Sequence, residues 1–361
     1  MKPWTFVVAA DMQPGSPKSY RYRPAWGGNW RTARKQIVEI NPDLLLIPGD
    51  LTRDGSIHRF ELEEMKGALD DLPFPYHVVP GNMDTGNKHT LQNAPRAPDS
   101  IRMDDIELNV TSEQLQKFAS VFGPLQWSFV HKNVRFSGFS DVAIGSGLPE
   151  EKAFWKWAAN LKKQPLEQHH VWIMHYALFV DDLHEPNWDI TKPEEYTAWY
   201  FIIDEPHRSR LMDLFKATGT DIVITGHIHC RKVHHAEGIQ CYLAPSVAFS
   251  QWSNRWSDGD PTLGFLRYYC HIMPTGDIRN NYDCSTCGCP AYLILVVVSK
   301  RPWVSGIIQP LFTHNLCPCR LNSIGLNPRA NCKTFRIGEI ETIMVSDFDI
   351  SITSVKFQSG R

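Results

Sequence analysis

The sequence has no dominant charge. Its 37 Lys and Arg against 39 Asp and Glu leave a net charge of -2, so nothing calls for nucleic acid or an anionic membrane surface as an obligatory partner. It also has no long hydrophobic run. The longest uninterrupted one, Ala291 to Val298, falls far short of the roughly 20 residues that cross a bilayer. A leader is not expected either, because Met1-Lys2-Pro3-Trp4 leads straight into a short strand-like segment ending at Asp11. Cysteine is nearly missing from most of the chain: residues 1–269 hold only Cys230 and Cys241. That excludes a disulfide framework there and points to a reduced, cytoplasmic protein. No internal repeat is visible. A length of 361 residues is enough for one large domain or two.

What is present is organised around Leu44-Leu45-Leu46-Ile47-Pro48-Gly49-Asp50. Four apolar residues in a row between Pro-Asp and Pro-Gly predict a strand buried on both faces. Asp50 follows its carboxyl end, where open α/β sheets place their ligands. Before it, Trp4 to Ala10 reads as a strand and Asn29 to Ile40 as a helix, which makes a βαβ unit. After it, His58 to Leu69 has helical spacing and Tyr76 to Pro80 reads as a third strand. Residues 85–105 read as a surface insertion. Helices are predicted over Ser112 to Phe122, with Ser112 as N-cap, over Glu150 to Lys163 and over Pro206 to Ala217. A hairpin over residues 127–139, strands at 171–174 and 221–224, and hairpin-like strands at 232–235, 239–244 and 264–269 complete an α/β pattern. Tyr176 to Asp204 has aromatics and acids without a period, as a lid or substrate loop would.

Strand ends collect the chemistry: Asp11 and Gln13, Asp50, Asn82, His175, and His227 with His229. Carboxylates, imidazoles and amides suit two divalent cations of intermediate hardness, Mn, Fe or Zn, with Asp50 the natural bridge between them. Each piece is weak alone; five in order, each after its own apolar run, are not. The stretches Asp11-Met12-Gln13, Gly49-Asp50, Gly81-Asn82-Met83-Asp84, His175 and Gly226-His227-Ile228-His229 resemble the calcineurin-like metallophosphoesterase family. The resemblance covers about residues 4–269. It implies a four-layer α/β/β/α sandwich and hydrolysis of a phosphate mono- or diester by a hydroxide shared between two metals. It also implies that Asp11, Gln13, Asp50 and His229 hold the first metal, and Asp50, Asn82, His175 and His227 the second. A small-molecule phosphate ester is the expected partner.

Two positions depart from the family pattern. Gln13 stands where a histidine is usual, and can ligate through its amide oxygen. Met83 stands where a histidine is expected to contact phosphate and help the leaving group, and a thioether has no proton to give. Asp84, expected to orient that histidine, loses its partner. His58, His89 and His184 are possible substitutes. Arg53 is a candidate phosphate contact or else a loop charge, and Tyr20, Tyr22, Trp26, Trp188, Trp199 and Tyr200 read as loop-packing aromatics. The alternative to an enzyme is a catalytically weakened module that binds a phosphorylated ligand. Domain 1–279 is therefore read as catalytic. Residues 280–361, with Cys284, Cys287, Cys289, Cys317, Cys319 and Cys332, read as a poorly ordered extension rather than a zinc module, because their spacing fits no standard zinc ribbon.

Overall fold

The computed structural model describes residues 4–88, 109–189, 192–250 and 259–270. These belong to one of two compact units of the chain, and the other, Cys284–Cys289 with Phe312–Arg361, lies wholly outside them. The expected insertion beyond residue 88, His89, the boundary at 279 and the cysteines from Cys284 onward are also outside the described residues.

Two sheets form. In the first, β1 (Trp4–Val8), β2 (Leu44–Pro48) and β3 (Tyr76–Val79) run parallel in that order. The strand β10 (Leu266–Cys270) pairs antiparallel with β1 at the edge. In the second, the order is β4 (Gln126–His131), β5 (Val134–Phe139), β6 (His169–Ile173), β7 (Ile222–Thr225), β9 (Ile239–Leu243) and β8 (Lys232–Ala236). Its centre, β5 to β9, is parallel, and β4 and β8 close it antiparallel at the two edges.

Side-chain alternation explains the layering. Phe6, Val8, Leu44 and Leu46 join Phe136, Val171, Ile173, Ile222 and Ile224 in one cluster between the sheets. Phe6 stacks on Tyr268 at 4.4 Å and meets Phe136 edge-on at 5.2 Å. The intervening residues Val7, Leu45 and Ile47 belong instead to the cluster that includes the helices. There they join Trp30, Ala33 and Ile37 of α1 (Pro24–Ile40) and Leu62, Met65 and Leu69 of α2 (Arg59–Asp70). Phe139 and Trp172 do the same on the other sheet, against Phe154 of α5 (Pro149–Leu161) and Phe215 of α7 (His207–Ala217). The result is two sheets flanked by helices, the four-layer α/β/β/α arrangement.

Three local expectations change. α1 begins at Pro24, five residues before the apolar period, because proline suits the first helical position. The helix α4 (Ser112–Phe122) is capped by Thr111, not Ser112: the Thr111 hydroxyl accepts from the Gln114 amide at 3.3 Å and Gln114 reaches back to the Thr111 amide at 3.0 Å. Within the aperiodic stretch lies a helix, α6 (Pro193–Phe201). No helix among the described residues is long and apolar enough to cross a membrane.

Candidate metal centre

Five stretches meet at the carboxyl ends of the parallel strands. In Asp11-Met12-Gln13 and His227-Ile228-His229 the middle residue is fully buried in hydrophobic packing, Met12 in the cluster that holds Trp30 and Leu62 and Ile228 with Ala177, Phe201 and Leu243. The flanking polar residues are thereby turned together toward the cluster. The backbone there is unusual: Asp11, Gln13, Asp50, His227 and His229 have φ of 52°, 33°, 51°, 68° and 56°. Left-handed backbone in non-glycine residues is costly and collects at functional sites. The glycines of the motifs have a steric cause. A Cβ on Gly49 would lie 2.4 Å from His175 Nδ1, and one on Gly81 would lie 2.1 Å from Asp50 Oδ1.

The structure brings all seven expected ligands together. The donor atoms of Asp50, His175 and His227 lie within 4.8 Å of one another, and so do those of Asp11, Asp50 and His229. Asp50 belongs to both groups, and all five residues are buried. Each imidazole has one nitrogen tied to a backbone carbonyl: His175 Nδ1 to Pro48 at 3.0 Å, His227 Nε2 to Tyr200 at 3.0 Å, and His229 Nδ1 to Phe249 at 2.8 Å. A carbonyl accepts only a proton, so that nitrogen carries one and the other ring nitrogen is turned inward. His175 Nε2 then faces Asn82 Oδ1 at 2.9 Å and Asp50 Oδ1 at 3.3 Å. An imidazole nitrogen, an amide oxygen and a buried carboxylate converging in this way are the donor set of a divalent metal, so the residues fit one.

The electrostatics agree. Burial, reinforced by the Asp11 and Asp84 carboxylates and opposed by His175, pushes Asp50 up to about 7. Burial disfavours a charged His175, but Asp50, Asp11 and Asp141 outweigh it and its pKa is raised. His227 is pushed well down by burial and by the charge of His175. A buried anionic cluster of this kind holds positive charge.

The two amides are held in opposite senses. Asn82 donates its Nδ2 hydrogens to Asn87 Oδ1 and Tyr200 Oη, both at 3.0 Å, which turns its carbonyl oxygen inward. Gln13 instead accepts from Arg53 Nη1 through its oxygen at 2.7 Å, and its amide nitrogen donates to Asp50 Oδ2 at 2.6 Å. Arg53 is 7% exposed, so it is not an open loop charge. Its Nε donates to Tyr20 O at 2.9 Å, and its guanidinium lies 4.9 Å from the Trp26 ring and 5.6 Å from the Phe249 ring.

Asp84 does not face residue 83. Its carboxylate accepts from the Leu51, Thr52 and Gly81 amides and from the Thr52 hydroxyl, so it ties the loop after β2 to the turn after β3. Met83 is half-buried, and its amide donates to Asp50 Oδ1 at 2.9 Å. The contacts of His58 are to Lys18 O, Asp54 and Phe60. His184 is exposed, its amide turned to Asp182.

Sequence reasoning missed Asp141, Asn87 and the role of Tyr200. Asp141 accepts from the His175 and Tyr176 amides at 2.7 and 2.6 Å, bracing the end of β6. It follows Ser140 as β5 ends, and an acid just past a strand end was the available signal. Tyr200 lies on α6, and its ring centroid is 4.8 Å from that of His227. Nothing in an aperiodic segment marked it.

Known proteins resemble this chain. The family model described as calcineurin-like phosphoesterase matches residues 5–231. The serine/threonine-protein phosphatase CPPED1 of Pongo abelii is 24% identical over 249 residues, 63% of this chain and 69% of its own length. Among solved structures, GAP50, described as the anchor in the inner membrane complex of Plasmodium, aligns at 14% identity with a TM-score of 0.49, covering 87% of this chain and 90% of its own. Purple acid phosphatase PPD1 from yellow lupin aligns at 15% identity with a TM-score of 0.47, covering 74% and 49%. With the family match spanning most of the described strands and all five stretches of the polar cluster, this chain belongs to the calcineurin-like phosphoesterase family.

Proposed function

We propose that the chain hydrolyses a phosphate ester at this cluster, with two divalent ions sharing Asp50. The observation that carries the reading is the convergence of the inward ring nitrogens of His175, His227 and His229 with Asp11, Asp50 and the Asn82 carbonyl oxygen. One ion would be held by Asp50, Asn82, His175 and His227, and the other by Asp11, Asp50 and His229, beside the Gln13 amide. Bound there, Mn, Fe or Zn supplies Lewis acidity to the phosphoryl oxygens and activates water as the nucleophile.

The chain's own residues do the rest. The three carbonyl-tethered imidazoles are held in one ring orientation, so no rotamer must change when an ion binds. Asn87 and Tyr200 fix the Asn82 amide so that its oxygen faces inward. The rings of Tyr176, Tyr200 and Phe201 lie 4.3, 4.8 and 5.5 Å from that of His227 and shield it from solvent. Asp84 acts as a brace under Asp50 and Met83, since its oxygens are spent on the loop. With methionine at position 83, esters with good leaving groups are the favoured substrates. The buried thiols of Cys241 and Cys270, which form no disulfide, support a reducing, cytoplasmic setting.

The test is hydrolysis of an aryl phosphate by the full chain loaded with Mn, Fe or Zn. The reading expects turnover that chelation abolishes and metal restores. A metal-loaded protein that binds the ester without cleaving it would favour the weakened binding module instead.

A further inference from the structure

The first ion's position has an occupant within the chain. We infer that Gln13, locked by Arg53, competes with the metal at the Asp11–Asp50–His229 position rather than ligating it. This rests on the metal reading above.

The inference turns on which end of the Gln13 amide faces inward. Arginine has five donors and no acceptor. With Arg53 Nη1 at 2.7 Å, the amide group facing it must be the oxygen; the reverse orientation would set N–H against N–H. The amide nitrogen is therefore forced toward the cluster. There it lies 2.6 Å from Asp50 Oδ2 and 3.4 Å from His229 Nε2. His229 Nδ1 carries the proton given to Phe249 O, so Nε2 is an acceptor. An –NH2 group has two hydrogens, and two of the acceptors that would otherwise share an ion are the groups facing it. An amide nitrogen so placed does in part what a cation would do.

Arg53 is itself held in place. Its Nε is bonded to Tyr20 O, and its guanidinium is enclosed by the rings of Tyr20, Trp26 and Phe249 at 5.4, 4.9 and 5.6 Å. Trp26 and Phe249 stack on each other at 4.4 Å. Phe249 is also the residue whose carbonyl orients His229. Turning the Gln13 oxygen inward thus means disturbing a packed cation, not rotating a free side chain. Asn82 is the internal contrast, since its partners, an amide oxygen and a phenol, are both able to accept. The consequence is unequal occupancy. The Asn82 position fills first, and the Gln13 position fills only by displacing an amide from Asp50 and His229.

The sign of one substitution separates competitor from ligand. Mn2+ binding to the full chain is measured by equilibrium dialysis with metal analysis, for wild type, Gln13→Ala and Arg53→Met. Electron paramagnetic resonance distinguishes isolated from spin-coupled Mn. Wild type is expected to bind one ion tightly, with an uncoupled spectrum, and a second more weakly. Gln13→Ala is expected to tighten the second ion by about tenfold or more, the worth of the hydrogen bonds it no longer displaces. Arg53→Met, which frees the amide to turn, should shift the second ion the same way. It serves as the deciding variant if Gln13→Ala does not fold. Unchanged or weaker second-ion binding in these variants overturns the inference while leaving the metal reading intact. A wild-type protein that binds no ion overturns both.

Discussion

Met83 and Asp84 are neighbours whose chemistry has been separated. The Asp84 carboxylate is fully used by the amides of Leu51, Thr52 and Gly81 and the Thr52 hydroxyl, so a histidine placed at 83 would find no free carboxylate to orient it. General acid help from an oriented group is worth roughly a hundredfold to ten-thousandfold. Met83→His is therefore expected to raise hydrolysis of alkyl phosphates, which leave poorly, by less than about tenfold relative to aryl phosphates. The ratio of alkyl to aryl rates in wild type and variant checks this, and a rise of two orders of magnitude would mean that Asp84 can be redirected. At this scale most of the site was legible. The residue types and their place after apolar runs named all seven cluster members, but not which way an amide faces. That depends on Arg53, Asn87 and Tyr200, which come from other loops and elements and leave no trace in local spacing.

Elements follow their periods where one face is buried and depart from them where a cap or loop decides. The strands β2 and β7 were readable because burial on both faces leaves apolar runs, and β1 and β6 because each ends in one, Phe6–Val8 and Val171–Ile173. The start of α1 and the cap of α4 were not, because Pro24 and Thr111 act through backbone geometry rather than hydrophobicity. α6 was hidden because its ring-rich sequence carries no helical alternation. One element carries a titratable group with a clear sign. His170 of β6 lies between Thr218 O at 2.9 Å and Ser137 Oγ at 2.8 Å, and burial lowers its pKa to about 4. The unfolded chain, with an ordinary histidine pKa near 6.5, takes up this proton first as pH falls. The stability that His170 contributes is therefore present above about 6.5 and is lost as pH falls from there toward 4. Between pH 7 and 5 the loss amounts to about 2 kcal/mol. Urea unfolding at both pH values should show His170→Gln with a smaller pH dependence by about that amount, and an unchanged difference would mean that His170 is already protonated in the fold.

The described residues form a pair of sheets whose parallel strands deliver their carboxyl ends to one cluster, and the described strands end at Cys270. Among the described residues, both hydrophobic clusters that join the layers are built from residues up to 270. Deleting residues from about 280 onward is accordingly expected to leave metal content and hydrolysis nearly unchanged, with thermal unfolding read alongside. Loss of folding, or of a bound zinc, would make the cysteine-rich region part of the functional unit. The central claim concerns Asp50, the one carboxylate common to both ligand groups. It is tested most directly by measuring bound metal and aryl phosphate hydrolysis together in wild type, Asp50→Asn and His175→Ala. The account predicts that Asp50→Asn empties both positions and abolishes turnover, whereas His175→Ala mainly empties one. Full metal content and turnover in Asp50→Asn would contradict it.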